Sequence, residues 1–253
     1  MKNIPGKKFL EICCDSYEAV CAARGGGADR VELSSGLAEG GITPSAGLIG
    51  MAASAGIDVN VLIRPRPGDF LYTDADCEIM LGDIAEAARC GARGVVIGAL
   101  TAVGDVDKEI CRKLVEEAKS RGMSVTFHRA FDVCRNPEAA LEVIVDLGCD
   151  RILTSGQAST AEKGIGLLRD LQEQADGRII IMAGCGVNPS NAKRIVDETG
   201  VEELHASARG VVKSGMLFRN PAVSMGTPGE DEYSRLSTSE DIVKQLSELL
   251  KNY

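Results

Sequence analysis

The sequence predicts an α/β fold, a parallel (β/α)8 TIM barrel closed as a single domain over residues 1–253. Three observations predict it. Eight short β-rich runs recur along the chain, stretches of helical periodicity lie between them, and glycines stand where several of those helices stop. Regular alternation of strand and helix argues for a parallel sheet. Eight such units suit closure into a barrel, whereas a doubly wound open sheet usually has five or six strands.

The strands are expected, in order, at Phe9–Cys13, Arg30–Leu33, Val59–Ile63, Gly94–Ile97, Ser124–His128, Arg151–Thr154, Ile179–Met182 and Glu203–Ala206. Several are almost continuously apolar, as in Ile-Ile-Ile-Met, which suits strands buried on both faces. Helical periodicity falls at Asp83–Cys90, Glu109–Ser120, Pro137–Leu147, Gly164–Gln174 and Pro189–Thr199. Gly91, Gly122, Gly148 and Gly200 fit the left-handed position that ends a helix. Asn136-Pro137 and Asn188-Pro189 both read as an N-cap followed by Pro at the first helical position. The barrel is expected over about 9–210 and a C-terminal loop and helix over 211–253. Ser207–Gly229 is rich in Gly, Ser and Pro, and an extra helix follows at about Ser239–Lys251 with Ser239 as N-cap. That helix either completes the outer ring or makes a partner contact.

Composition narrows the function. A quarter of the residues are charged and 44% are hydrophobic, which is a globular balance. The net charge of −9 repels phosphate backbones and excludes nucleic acid as an expected partner. No stretch approaches the roughly 20 apolar residues of a membrane helix, and the start has no signal-like core, so a soluble cytoplasmic protein is expected. The nine cysteines contain no C-x-x-C pair and read as reduced, mostly buried thiols.

In a β/α barrel the C-terminal strand ends build the site. Strand one carries Glu11 and strand two Glu32. Strand three leads into Arg64-Pro65-Arg66, strand five ends in His128-Arg129-Ala130-Phe131-Asp132, strand six gives Thr154-Ser155, strand seven gives Gly184-Cys185-Gly186 and strand eight carries His205. Both histidines of the chain therefore fall at strand ends. A lone buried carboxylate costs several kcal/mol unless paired, so Glu11 and Glu32 call for the arginines and histidines as partners. A Glu–Arg pair can simply plug a barrel. The whole set also makes a pocket in which Glu11, Glu32, Arg64, His128 and His205 do acid–base work. Arg66, Arg129, Asp132, Thr154 and Ser155 would hold a small anion there, with Gly184 and Gly186 offering backbone N–H groups to a phosphate.

Longer motifs then give a resemblance. Gly26–Leu33 (GGADRVEL), Leu37–Ser45 (LAEGGITPS), Leu62–Tyr72 (LIRPRPGDFLY), Val96–Asp107 (VIGALTAVGDVD), Val125–Cys134 (VTFHRAFDVC), Arg151–Gln157 (RILTSGQ) and Glu203–Arg209 (ELHASAR) resemble the CutC copper homeostasis proteins. The match runs from about Phe9 to the C-terminal helix. The resemblance implies a β/α barrel, a cytoplasmic location, a homodimer or higher homo-oligomer, and copper tolerance and binding. Ser34 stands where many relatives have Cys, and Cys185 where many have Gly. Since Cu(I) prefers thiolates, Cys13 and Cys185 are the candidate copper ligands, with His128 and His205 beside them. Two functions follow: handling of a copper ion, or acid–base chemistry on a small anionic metabolite. A variant of the second places a divalent metal on Glu11, Glu32, His128 and His205.

Overall fold

The computed structural model describes residues 8–220, 222–223, 231–251 and 253. Eight parallel strands close into one barrel in sequence order. The elements run β1 (Phe9–Cys14), α1 (Tyr17–Gly25), β2 (Arg30–Leu33), α2 (Ala46–Ala53), β3 (Asp58–Leu62), α3 (Asp74–Arg89), β4 (Gly94–Ile97), α4 (Lys108–Ser120), β5 (Ser124–Phe127), α5 (Pro137–Asp146), β6 (Arg151–Thr154), α6 (Ile165–Ala175), β7 (Ile180–Ala183), α7 (Ala192–Thr199), β8 (Glu203–Ala206), β9 (Arg209–Lys213), β10 (Ser234–Thr238) and α8 (Glu240–Leu250). Strand positions agree with the sequence reading to within a residue.

The helix ends follow side-chain chemistry. Asn136 caps α5 by accepting from Ala139 N–H, with Pro137 at the first turn. Gly91, Gly122, Gly148 and Gly200 all take positive φ, between 72° and 94°. Three expectations need correction. Helix α3 begins at Asp74 rather than Asp83, because Thr73 and Asp76 form a reciprocal capping box. Helix α7 begins at Ala192, not Pro189: the Asn188 carboxamide oxygen accepts from the backbone and hydroxyl of Ser190, which makes a turn, and Asn191 becomes the cap residue. Ser239 occupies the N-cap position of α8, but its side chain makes no capping bond.

The C-terminal region departs further. Strands β9 and β10 pair antiparallel into a two-stranded arm that the Gly/Ser/Pro-rich composition did not signal. Residues 221 and 224–230 of that stretch lie outside the described residues. Helix α8 buries Val243, Leu246 and Leu250 and packs on α1 and α7. It thereby takes the eighth place in the helical ring rather than standing outside it. Its fit against α1 is tight: a side chain at Gly26 would meet Val243 at 2.5 Å. The core fills the space between helices and strands, with Ile12, Leu33, Ile63, Ile97, Phe127 and Phe131 fully buried.

Candidate functional site

Two layers of polar side chains fill one side of the barrel interior, and the same three neighbouring strands supply most of both, with Arg151 of β6 joining the lower one. In a strand, residues two apart face the same way. So β1 points Glu11 and Cys13 inward, β2 points Arg30 and Glu32, and β8 points Glu203 and His205.

The lower layer is paired except at Arg151 Nη1, which is buried without a partner. Arg30 bonds Glu11 through Nε and Glu203 through Nη2 at 2.8 Å, and Arg151 reaches Glu203 at 3.1 Å. Glu11 is fully buried and is not part of the wall of the cavity at the strand ends. Burial alone would raise its carboxyl pKa, but the Arg30 charge and the His205 contact outweigh that and hold it far below the usual carboxylate range.

The upper layer is open. One ligand atom each from Cys13, Glu32 and His205 lie within 4.8 Å of one another. The Cys13 thiol lies 3.9 Å from Glu32 Oε1, and Glu32 Oε2 has no hydrogen-bond partner. His205 Nδ1 is 2.8 Å from Glu11 Oε1. Burial pushes the Glu32 carboxyl up to about 7, against the opposing charge of His205. Burial favours neutral His205, but the charges and contacts of Glu32, Cys13 and Glu11 raise it well above its ordinary value. Burial also raises the Cys13 thiol. Gly184 makes this arrangement possible, since a side chain there would meet Leu153 at 2.5 Å and His205 Cβ at 3.2 Å.

These three residues form part of the wall of a cavity of about 360 Å³ that opens at the C-terminal strand ends. Arg64, His128, Arg129 and Asp132 line it too, as do the apolar Leu37, Leu62, Phe70, Val133 and Leu153. Arg64 is largely spoken for: Nη1 donates to the carbonyls of Glu39 (3.1 Å) and Gly41 (2.7 Å), and Nη2 to that of Gly68 (2.6 Å). Its Nε is buried without a partner. His128 Nδ1 accepts from Ala130 N–H at 3.1 Å, so the neutral ring carries its proton on Nε2, and that atom also has no partner. Burial, helped by the Arg64 charge, lowers His128 to about 3. Phe70 packs on the ring at 4.9 Å.

Other predicted residues take supporting places. Asp132 pairs with Arg129 Nε at 2.7 Å and accepts from Thr154 Oγ1 (2.5 Å) and Ser155 Oγ (2.9 Å), so Thr154 and Ser155 hold Asp132 rather than face the cavity. Arg66 turns outward to Asp69, Asp76 and the Leu71 carbonyl. Gly186 has φ of 73° and sits against Thr160. Cys185 has φ of 80°, and its thiol donates to the Ser159 carbonyl at 3.3 Å. The structure thus brings Cys13 to His205 and Glu32, and does not bring Cys185 or His128 into that cluster. The proposed divalent set does not assemble either, because Glu11 is spent on Arg30 and His205. Sequence reasoning put Cys13 and His205 among the copper ligands but did not join Glu32 to them, and it missed the apolar wall. The alternation Glu11-x-Cys13, Arg30-x-Glu32, Glu203-x-His205 carried the first signal.

Comparison with known proteins places this geometry. The family model described as the CutC family matches residues 8–210. A family protein CutC from Bacteroides thetaiotaomicron is 52% identical over 245 residues, covering 95% of this chain and 98% of its own length. The human protein named copper homeostasis protein cutC homolog is 48% identical over 246 residues, covering 96% of this chain and 89% of its own. The crystal structure of a CutC protein from Streptococcus agalactiae superposes with a TM-score of 0.75 at 35% identity, covering 79% of this chain and 98% of that one. QR15, an aldolase, is 18% identical with a TM-score of 0.62 over 81% of this chain and 92% of its own, and shares the fold alone. Among the described residues no helix is long and apolar enough to cross a membrane.

Proposed function

The chain belongs to the CutC family, and from that premise we propose that it binds a copper ion as cargo, in the cytoplasm, through Cys13 and His205 with Glu32 beside them. One observation carries the reading: a thiol, an imidazole and a carboxylate converge within 4.8 Å in the wall of an open pocket. Thiolate is the ligand Cu(I) prefers, and imidazole suits copper in either oxidation state. The Glu11 carboxylate takes the Nδ1 side of His205, which leaves Nε2 to face the ion; such carboxylate–histidine pairs orient metal-binding imidazoles. The unpartnered Glu32 Oε2 is a buried acceptor that a cation would satisfy. Three protein donors leave coordination positions open for a ligand that delivers or removes the ion. Cys185 is not needed in this account.

An anaerobic Cu(I) titration of the reduced protein against a chromophoric chelator tests it. Wild type is expected to take one copper per chain, and Cys13→Ser to lose about 100-fold or more in affinity while staying folded. Unchanged affinity in Cys13→Ser would rule the site out.

A second reading rests on a different observation. Glu32, with its carboxyl at about 7, lies beside His205, which is held protonated, and this is an acid–base pair set for neutral pH. Such a pair suits chemistry on a small anionic metabolite in the same pocket, and pH–rate profiles on the metal-free protein test it. The expected homo-oligomer finds support in the arm, where Met216, Leu217 and Phe218 are exposed. Light scattering of Leu217→Ser against wild type checks that contact.

A further inference from the structure

Beyond copper, two residues of the cavity wall each carry a buried ring or guanidinium N–H without a hydrogen-bond partner. We propose that Arg64 Nε–H and His128 Nε2–H bind the carboxylate of a small monocarboxylic acid whose apolar body lies along Leu62, Phe70 and Leu153. The proposal deepens the anion reading of the pocket, on which it rests, and is independent of the metal.

The donors are assigned by elimination. Arg64 spends three of its five N–H donors on backbone carbonyls, through Nη1 and Nη2, and Nε is the one of its nitrogens with no partner. His128 accepts at Nδ1 from a backbone N–H, which fixes the proton on Nε2. Both residues are at most 5% exposed and both line the cavity. A buried N–H without a partner costs on the order of 1–3 kcal/mol; Arg151 Nη1 and Asn60 Nδ2 are also unpartnered, but only Arg64 and His128 join this property to a place in the cavity wall. Two N–H donors match the two oxygens of a carboxylate, and the fixed Arg64 charge favours the ionised form.

The rest of the wall favours a carboxylate over the other common anion. Phosphate sites in barrels use backbone N–H groups after strands seven and eight. Here the Gly184–Gly186 turn is not part of the cavity wall, and its middle residue directs its thiol to Ser159. Apolar side chains take that share of the surface. Phe70 packs at a tilt of 48° against His128 and under Arg64, whose guanidinium carbon lies 5.2 Å from the ring centroid, so the anion donors and the apolar wall are contiguous. A charged head joined directly to a carbon chain or ring fits that contiguity.

The test uses full-length, reduced, metal-free, 15N-labelled protein. The ring Nε2 resonance of His128 and the melting temperature are followed during titration with acetate, hexanoate, phenylacetate, the matched amides of the last two, and inorganic phosphate. Hexanoate or phenylacetate is expected to move the Nε2 resonance and to bind about tenfold tighter than acetate and than its own amide. His128→Ala should weaken binding about tenfold. Phe70→Ala should remove the advantage over acetate, and it keeps the proposal testable if the histidine variant does not fold. Tighter binding of phosphate than of any acid would overturn the carboxylate assignment and leave an anion pocket standing. Amides binding as well as acids, or a resonance unmoved by every probe, would overturn both. None of these outcomes bears on copper uptake.

Discussion

The two polar layers contrast more than their shared origin suggests. Glu11 and Glu32 lie on adjacent strands, both fully inside the barrel, yet their carboxyl groups are driven in opposite directions. Glu11 has Arg30 on one side and His205 on the other and stays ionised. Glu32 has only a thiol within reach of one oxygen and nothing at the other, so burial wins. The lesson is that burial alone does not mark a site. A buried carboxylate with both oxygens partnered is architecture, and one with a free oxygen beside a cavity is a place for something to bind.

Three perturbations break or sharpen that contrast. The largest effect is expected in the lower layer. Arg30→Met leaves Glu11 with His205 alone and Glu203 with Arg151 alone, and should cost about 3–5 kcal/mol in denaturant unfolding. A cost within 1 kcal/mol would mean that the layer is not held by charge pairing.

Next, Glu11→Gln links the layers. It should lower copper affinity about 10–100-fold without touching a donor atom, because it loosens the orientation of His205. The chelator titration reads this directly. An affinity equal to wild type would show that the lower layer does not serve the upper one.

The smallest effect is a pH dependence. An unfolded glutamate ionises near 4.5, whereas Glu32 in the fold does so near 7. Between those values the folded state holds the extra proton, so stability falls as pH rises through the window, and the full cost is present above it. Glu32→Gln should therefore gain on wild type, by on the order of 1–2 kcal/mol, at pH 8 relative to pH 5. Glu11 has the opposite sign. Its lowered pKa contributes stability that is present above 4.5 and lost as pH falls through the lower folded value. Melting curves across pH check both directions.

Much of this was legible before any coordinates, for reasons that can be named. The strands were readable because parallel strands buried on both faces are written as apolar runs, and Glu11, Glu32, His128 and His205 stood out by interrupting or ending them. The cluster was not readable because it depends on barrel tilt. By register His205 lies opposite Glu11, and Cys13 opposite Glu32, so no single row contains all three. Only the stagger of a closed barrel brings His205 up to Cys13. The arm was hidden for a related reason: β9 and β10 pair across some twenty intervening residues, and nothing local in RGVVK or SRLST announces the partner. The late start of α7 was a contest between two asparagines, decided by which side chain Ser190 could reach.

X-ray absorption at the copper edge of the Cu(I)-loaded protein tests the central claim most directly. The account expects one sulfur and at least one imidazole nitrogen at the metal, and loss of the sulfur contribution in Cys13→Ser. Two sulfur ligands in wild type, or an unchanged spectrum in the variant, would contradict it and move the copper away from the Cys13–Glu32–His205 layer.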